Sequence, residues 1–324
     1  MMKNIFLHAW RRMIKDRSYT LINIAGLSAG LACFALIALW VNDELSFDRF
    51  NKNYDRIVRV TEKSMSENGE RESARAVATL AQSLKQNFPE VEDAVRMRMR
   101  EALIEHNGKQ SSKPGVLCAD PSFFNIFSYR LLRGDPATAL NEPYSIILTE
   151  SAAKQYFGNA DPVGQSLTIF MNDTTGSGAA YKITGIAADP EENAHFNFSM
   201  VASFRSEEVS KPNTWRDMRI YTYVLLKPGT DVKAFAKKIP PFKEKFTYGV
   251  QPLPDIYLRS NLQDEIGPRG SMARVYIFSI IGIFILLLAG INYTNLATAR
   301  SVARAREVGI KKLIGVRKSQ LIGQ

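Results

Sequence analysis

The run from Leu21 to Val41, LINIAGLSAGLACFALIALWV, limits this chain more than any other feature does. It has no ionisable side chain apart from Cys33, and only Asn23 and Ser28 break its apolar character. At about 1.5 Å per residue a helix of this length covers about 30 Å, the thickness of a bilayer's hydrocarbon core. The run therefore reads as a membrane span. Tyr19 and Trp40 stand near its ends, where amphipathic rings favour the interface. Gly26 and Gly30, four residues apart, give another helix room to approach closely. A cleavable signal would have a shorter apolar region ending in a small-residue cleavage site. This run instead continues through Phe34, Leu36, Ile37, Leu39 and Trp40.

A second apolar run, VYIFSIIGIFILLLAGI from Val275 to Ile291, continues through NYTNLATA to Arg300. Asn292, Thr294, Asn295 and Thr298 are costly against lipid, so they are expected to turn toward other helices or the headgroups. The charge is arranged around these two runs. The net charge is +10, and residues 1–19, with five Lys/Arg against Asp16, and 300–324, with seven against Glu307, account for all of it. The 280 residues between them are neutral. A nucleic-acid-binding protein would hold its charge in a folded face or groove, so nucleic acid is not the expected partner. The fifteen-residue flanks predicted to lie inside hold nine Lys/Arg and the outer flanks five, placing both ends in the cytoplasm and residues 42–274 outside. Cys118 is alone in that outer region and cannot pair with Cys33 in the membrane.

The segment NIFLHAWRRMIKDR places Phe6, Trp10, Met13 and Ile14 at helical spacing among basic residues, as an interfacial helix would. The outer region reads as a folded α+β domain. RIVRV (56–60) predicts a strand, and AVATLAQSLKQNF (76–88) a helix with Val77, Leu80, Ala81 and Leu84 on one face. AVRMRMR (94–100) alternates strictly, so Arg96, Arg98 and Arg100 share one face, read as a solvated one. Asn107-Gly108 marks a hairpin. YSIILTESAAKQYFG predicts a strand, an N-cap at Thr149, a short helix and a stop at Gly158. Strands follow at SLTIF, YKITGIAAD and IYTYVLL, and a helix at DVKAFAKKIPP ends at Pro240 and Pro241.

Catalytic chemistry is missing from this pattern. His8, His106 and His195 are scattered, with no metal-ligand spacing, and there is neither a phosphate-binding loop nor a nucleophile elbow. The expectation is a non-enzyme with no cofactor and no metal. AREVGIKKLIGVRKSQ (305–320) is the remaining signal. Ile310, Leu313, Ile314 and Leu321 form an apolar stripe, Glu307 can pair with Lys311, and Gly309 and Gly315 each weaken a free helix by about 1 kcal/mol. Such a helix gains from packing against a partner.

These residues resemble a known family. INYTNLATARSVARAREVGIKKLIGVRKSQLIGQ (291–324) is similar to the signature of MacB/FtsX-type permeases of ABC transporters, in which a span ends in N-x-x-N-L and runs into R-x-R-E-[VI]-G-[IV]-[RK]-K-x-x-G. The first span resembles that of the large two-repeat permeases. ADPSFFNIFSYRLLRGDP, LTESAAKQYFGNADPVGQSL and YKITGIAADP resemble the MacB-like periplasmic core domain, and LPDIYLRS resembles its exit.

The resemblance implies an interfacial helix (1–19), a first span (20–41), an α+β extracytoplasmic core domain (42–274), a second span (275–299) and a cytoplasmic coupling segment (300–324). It implies that Arg304, Arg306, Glu307, Gly309, Lys311, Lys312 and Gly315 touch a separate ATPase subunit, while Gly26, Gly30, Asn292 and Asn295 pack spans together. The implied setting is the bacterial inner membrane, with lipids, the ATPase and a second permease half or copy as partners. Relatives of this type have four spans per half, so the chain reads as the N-terminal part of a longer permease. The other reading is a two-span sensor whose outer domain binds a ligand and whose basic tail recruits a signalling protein.

Overall fold

The computed structural model describes residues 17–66, 69–171, 178–207, 219–239 and 247–313. The chain divides into two units, one containing Met1–Leu45 and Met272–Gln324, the other Ser46–Ser271. Residues 1–16 of the predicted interfacial helix, residues 172–177, Pro240, Pro241, Ile314, Gly315 and Leu321 lie outside the described residues.

The first unit is built from two long helices. Helix α1 spans Arg17–Ser46, and Leu21–Ser46 within it is long and apolar enough to cross a membrane. The last helix of the chain runs unbroken over Met272–Leu313, with an apolar stretch at Met272–Asn295 that passes the same test. Both expose large apolar side chains around most of their circumference, Leu21, Leu36 and Leu39 on one and Phe284 and Leu288 on the other among them. That surface fits lipid, not water.

The second unit is a mixed α/β domain around one large sheet. Its strands are β1 (Ile57–Ser66), β2 (Gly69–Ser73), β3 (Ala76–Val77), β4 (Val91–His106), β5 (Lys109–Ala119), β6 (Leu131–Arg133), β7 (Ser145–Thr149), β8 (Ser166–Met171), β9 (Ala179–Ala187), β10 (Met200–Ser203), β11 (Arg219–Leu226) and β12 (Thr247–Pro252). The main path runs β12-β1-β11-β4-β5-β10-β7-β9-β6, with β2 beside β1, β3 beside β11, and β8 bridging β4 and β9. Pairing is antiparallel except between β5 and β10 and between β7 and β9.

Short helices cover the sheet or link its strands: α2 (Leu80–Asn87), α3 (Phe123–Ile126), α4 (Glu150–Phe157), α5 (Val232–Lys238) and α6 (Leu253–Arg259). The long helix at Met272–Leu313 is therefore α7. One face of the sheet holds an aromatic cluster of Phe123, Phe127, Tyr129, Phe196 and Tyr223. The other packs α2 and α5 against Val58, Val60 and Val224.

Local chemistry accounts for several elements. Asn107 and Gly108 both adopt positive φ, the geometry of a two-residue hairpin turn, and His106 faces Lys109 across it. The Thr149 hydroxyl accepts from the Ala152 N–H at the start of α4, and Gly158 ends that helix at φ +60. The Asp231 carboxylate caps α5 through the N–H groups of Lys233 and Ala234.

Two expectations need correction. The helix expected over 76–88 begins only at Leu80, because Ala76 and Val77 are taken as a short strand by Ile220 and Arg219 of β11. Its apolar face stands as expected, with Leu80, Ala81 and Leu84 buried. The face carrying Arg96, Arg98 and Arg100 is not a solvated one. Arg96 forms a bidentate pair with Asp120 at 2.8 and 2.9 Å, and Arg98 and Arg100 converge on the buried Glu207 at 3.1 and 3.3 Å. Carboxylates of the same chain take up the three guanidinium groups in place of solvent.

Candidate functional site

The two long helices of the first unit run antiparallel through a seam of small residues. Between Leu21 and Trp40 the partly covered positions of α1 are Asn23, Gly26, Gly30, Phe34, Ile37 and Trp40, a stripe at helical spacing. A Cβ on Gly26 would lie 3.1 Å from the Asn292 amide nitrogen, and one on Gly30 would lie 2.7 Å from the Ala289 Cβ. Gly282 meets Ile37 and Phe34, and Trp40 packs edge-on to Phe278 at 4.8 Å. Of the four predicted packing residues, the structure brings together Gly26, Gly30 and Asn292. Asn295 is exposed and lines a notch of about 380 Å³ with Leu286, Leu287, Gly290, Ile291 and Thr294. Gly282 and Ala289 are seam residues that sequence reasoning missed, although their seven-residue spacing on the second apolar run was the available signal.

The predicted coupling residues Arg304, Arg306, Glu307, Gly309, Lys311 and Lys312 all fall on α7, whose backbone stays helical to Leu313. Gly309 is exposed, with open space where a Cβ would stand. No described neighbour requires a glycine there, although glycine costs a helix about 1 kcal/mol relative to alanine.

The second unit holds a buried polar cluster that the sequence did not announce. Just beyond α1, Asp48 sits at φ 60, nearly inaccessible, and donates its N–H to the Asn193 carbonyl at 2.8 Å. The Asn193 side chain donates to the Ser46 carbonyl and meets the Ser46 hydroxyl at 3.2 and 2.8 Å. The backbone N–H of His195 donates to Asp48 Oδ1 at 3.1 Å, while its ring Nδ1 lies 2.8 Å from the same oxygen. Nε2 lies 2.7 Å from the Tyr223 hydroxyl. Tyr223 in turn meets the guanidinium of Arg59, which is wholly buried in β1. Arg59 is held by Glu265 at 2.5 and 2.9 Å, by Gln251 at 2.6 Å and by Ser260 at 3.2 Å.

Arginine only donates, so the Tyr223 oxygen accepts from Arg59. The Nδ1–H tautomer of His195 fits its two ring contacts, with Nδ1 donating to Asp48 and Nε2 accepting from Tyr223. Burial alone would lower the Arg59 guanidinium, but Tyr223 and Glu265 outweigh it and raise it above its ordinary value. Burial would likewise raise the Glu265 carboxyl, but its bonds to Arg59 and Ser260 hold it below the ordinary glutamate value. Tyr223 is pushed well up by burial.

Comparison with known proteins gives this geometry a context. The family model described as the MacB-like periplasmic core domain matches residues 20–242. A Bacillus subtilis (strain 168) relative, the uncharacterized ABC transporter permease YknZ, is 24% identical over 182 residues, which make up 55% of this chain and 42% of that protein. This chain thus matches less than half the length of that relative. A crystal structure of a permease domain from Porphyromonas gingivalis superposes with a TM-score of 0.51 at 21% identity, covering 62% of this chain and 92% of that one. The periplasmic region of MacB from Actinobacillus actinomycetemcomitans aligns at 11% identity with a TM-score of 0.46, over 63% and 91% of the two chains.

Proposed function

Because this chain belongs to the family of the MacB-like periplasmic core domain, we propose that it is a permease component of an ABC transporter in the bacterial inner membrane. In this reading residues 42–274 lie outside the cytoplasm, and a separate subunit hydrolyses ATP. Closure of that ATPase pushes on residues 300–324, moves the second span and so moves the outer domain, which expels or releases a substrate such as a lipoprotein, peptide or antibiotic. The chain itself needs no catalytic group for this work.

One observation carries the reading: α7 is a single helix of 42 residues, from the apolar stretch through to the cationic segment. At about 1.5 Å per residue it is about 63 Å long, more than a bilayer's hydrocarbon core requires. It has no proline, and a helix without an interior break can carry displacement along its axis. Gly309 supports the same reading, because a glycine unneeded by its own chain leaves space for a partner's backbone.

The test uses the full-length permease in membranes, with the ATPase that co-purifies with it. Gly309→Leu and Glu307→Ala are expected to lower ATPase retention at least tenfold while expression and membrane insertion stay unchanged. Gly309→Ala is the sensitive probe. It strengthens the helix by about 1 kcal/mol, so weaker ATPase retention in that variant can only come from lost space. Unaltered retention in all three variants refutes the assignment.

A further inference from the structure

We propose that Asn193 and His195 are positioning residues that clamp the incoming segment 46–51 of the outer domain to its outgoing segment 263–270. The domain then takes up movement at its two chain connections as one body. The clamp's role in transport rests on the permease reading above, whereas the clamp itself does not.

Three sets of contacts lie on one short loop. Asn193 holds the backbone and side chain of Ser46 and the N–H of Asp48. His195 holds the Asp48 carboxylate through two nitrogens. The outgoing segment passes directly over the same loop, where a Cβ built on Gly267 would overlap the His195 carbonyl oxygen, so that crossing needs glycine. A second route bypasses the loop: Phe47 stacks on Tyr257 at 3.4 Å, and the Tyr257 carbonyl accepts from the Gly270 N–H at 2.9 Å. A third runs from His195 through Tyr223 and Arg59 to Glu265. The incoming and outgoing segments, more than 200 residues apart in sequence, are thus joined at several points.

The chemistry favours positioning over stability. A buried polar chain of this kind gives little net stability compared with well-packed apolar side chains, but each directed bond fixes one atom against another. Asp48 also holds a left-handed backbone conformation, which apart from glycine is commonest for asparagine and aspartate. It is kept there by partners on the loop. Nothing about this arrangement requires proton transfer, so His195 acts through what it holds.

The experiment uses the full-length permease in membranes, in a Cys33→Ser background. Amide exchange in His195→Ala is expected to rise at least tenfold in residues 46–51 and 263–270 together, with β7 and β9 unchanged. Arg96→Ala, which breaks a paired arginine elsewhere in the sheet, is the control for general loosening and should leave both segments protected. Faster exchange in only one segment, or in neither, overturns the clamp. A fluorophore at Gln155→Cys then reports whether ATP moves the outer domain. His195→Ala should lose at least half of that response, and a Ser46→Cys/Asn193→Cys disulfide added to it should restore the response. Restoration marks a positional role, and a full response in His195→Ala without the disulfide overturns the role in transmission. A wild-type protein silent to ATP counts against the permease reading alone, since the exchange result stands without it.

Discussion

Arg59 shows what one buried charge demands of its surroundings. Its side chain has no exposed surface, and Glu265 is nearly as well covered. Removing one partner of such a pair leaves the other's charge buried and uncompensated, at a cost of about 3–5 kcal/mol. Arg59→Met is therefore expected to lower the unfolding free energy of the detergent-solubilised chain by that amount, read from denaturant titration. Arg59→Met with Glu265→Leu should regain most of the loss, because no charge is then stranded. The pH dependence has a definite sign. The native Glu265 carboxyl sits below its ordinary value of 4.5, so the unfolded chain binds the proton more readily. Its contribution is present at neutral pH, begins to fall near 4.5 and is gone once the pH drops below the lowered native value. Glu265→Gln should flatten this part of the profile when melting temperature is followed between about pH 3 and 6.

Among the elements, the pair α1 and α7 yields the most direct geometric test. A Cβ built on Gly282 stands 3.7 Å from the Ile37 Cβ, close to the mean of about 3.8 Å found in disulfides. Ile37→Cys with Gly282→Cys is expected to cross-link under mild oxidation, read by mass spectrometry of proteolytic fragments. Adding Gly30→Leu should abolish the cross-link, since even a Cβ at that position presses on Ala289. Gly26 and Gly30 stood out in the sequence because small residues four apart in an apolar helix leave a groove, and a Cβ on either would meet a residue of α7. The Asn107-Gly108 turn and the Thr149 cap were legible for a related reason: each is decided within about four residues. The Asp48–His195 contact was not, because its partners lie 147 residues apart and no local period marks them. The start of α2 was misplaced for the same reason, since the strand that claims Ala76 and Val77 arrives from Arg219 and Ile220. The paired state of Arg96, Arg98 and Arg100 also waited on Asp120 and Glu207, which only the assembled sheet brings alongside.

At the scale of the whole molecule the question is which side of the membrane each unit faces, and charge and burial together decide how to ask it. The fifteen-residue flanks of the two apolar runs hold nine Lys/Arg on the side of the chain's ends and five on the side of the domain, so the ends should stay in the cytoplasm and the mixed α/β domain should cross. The native thiols are poor reporters of this. Cys118 is buried, and burial together with Glu207 holds its thiol well above the ordinary range, so little reactive thiolate forms. Cys33 lies in the apolar part of α1. Gln155 on α4 and Ser301 on α7 are exposed and belong to different units, and both serve as label sites in a Cys33→Ser background. A membrane-impermeant maleimide added to intact spheroplasts is expected to label Gln155→Cys and spare Ser301→Cys, with both labelled after permeabilisation. The reverse pattern would put the mixed α/β domain in the cytosol and the basic end of α7 outside, where an ATP-driven partner cannot reach it. Labelling of both sites in intact spheroplasts would mean that the polypeptide between them does not cross the bilayer, and α7 would then have to be something other than a rod joining two compartments.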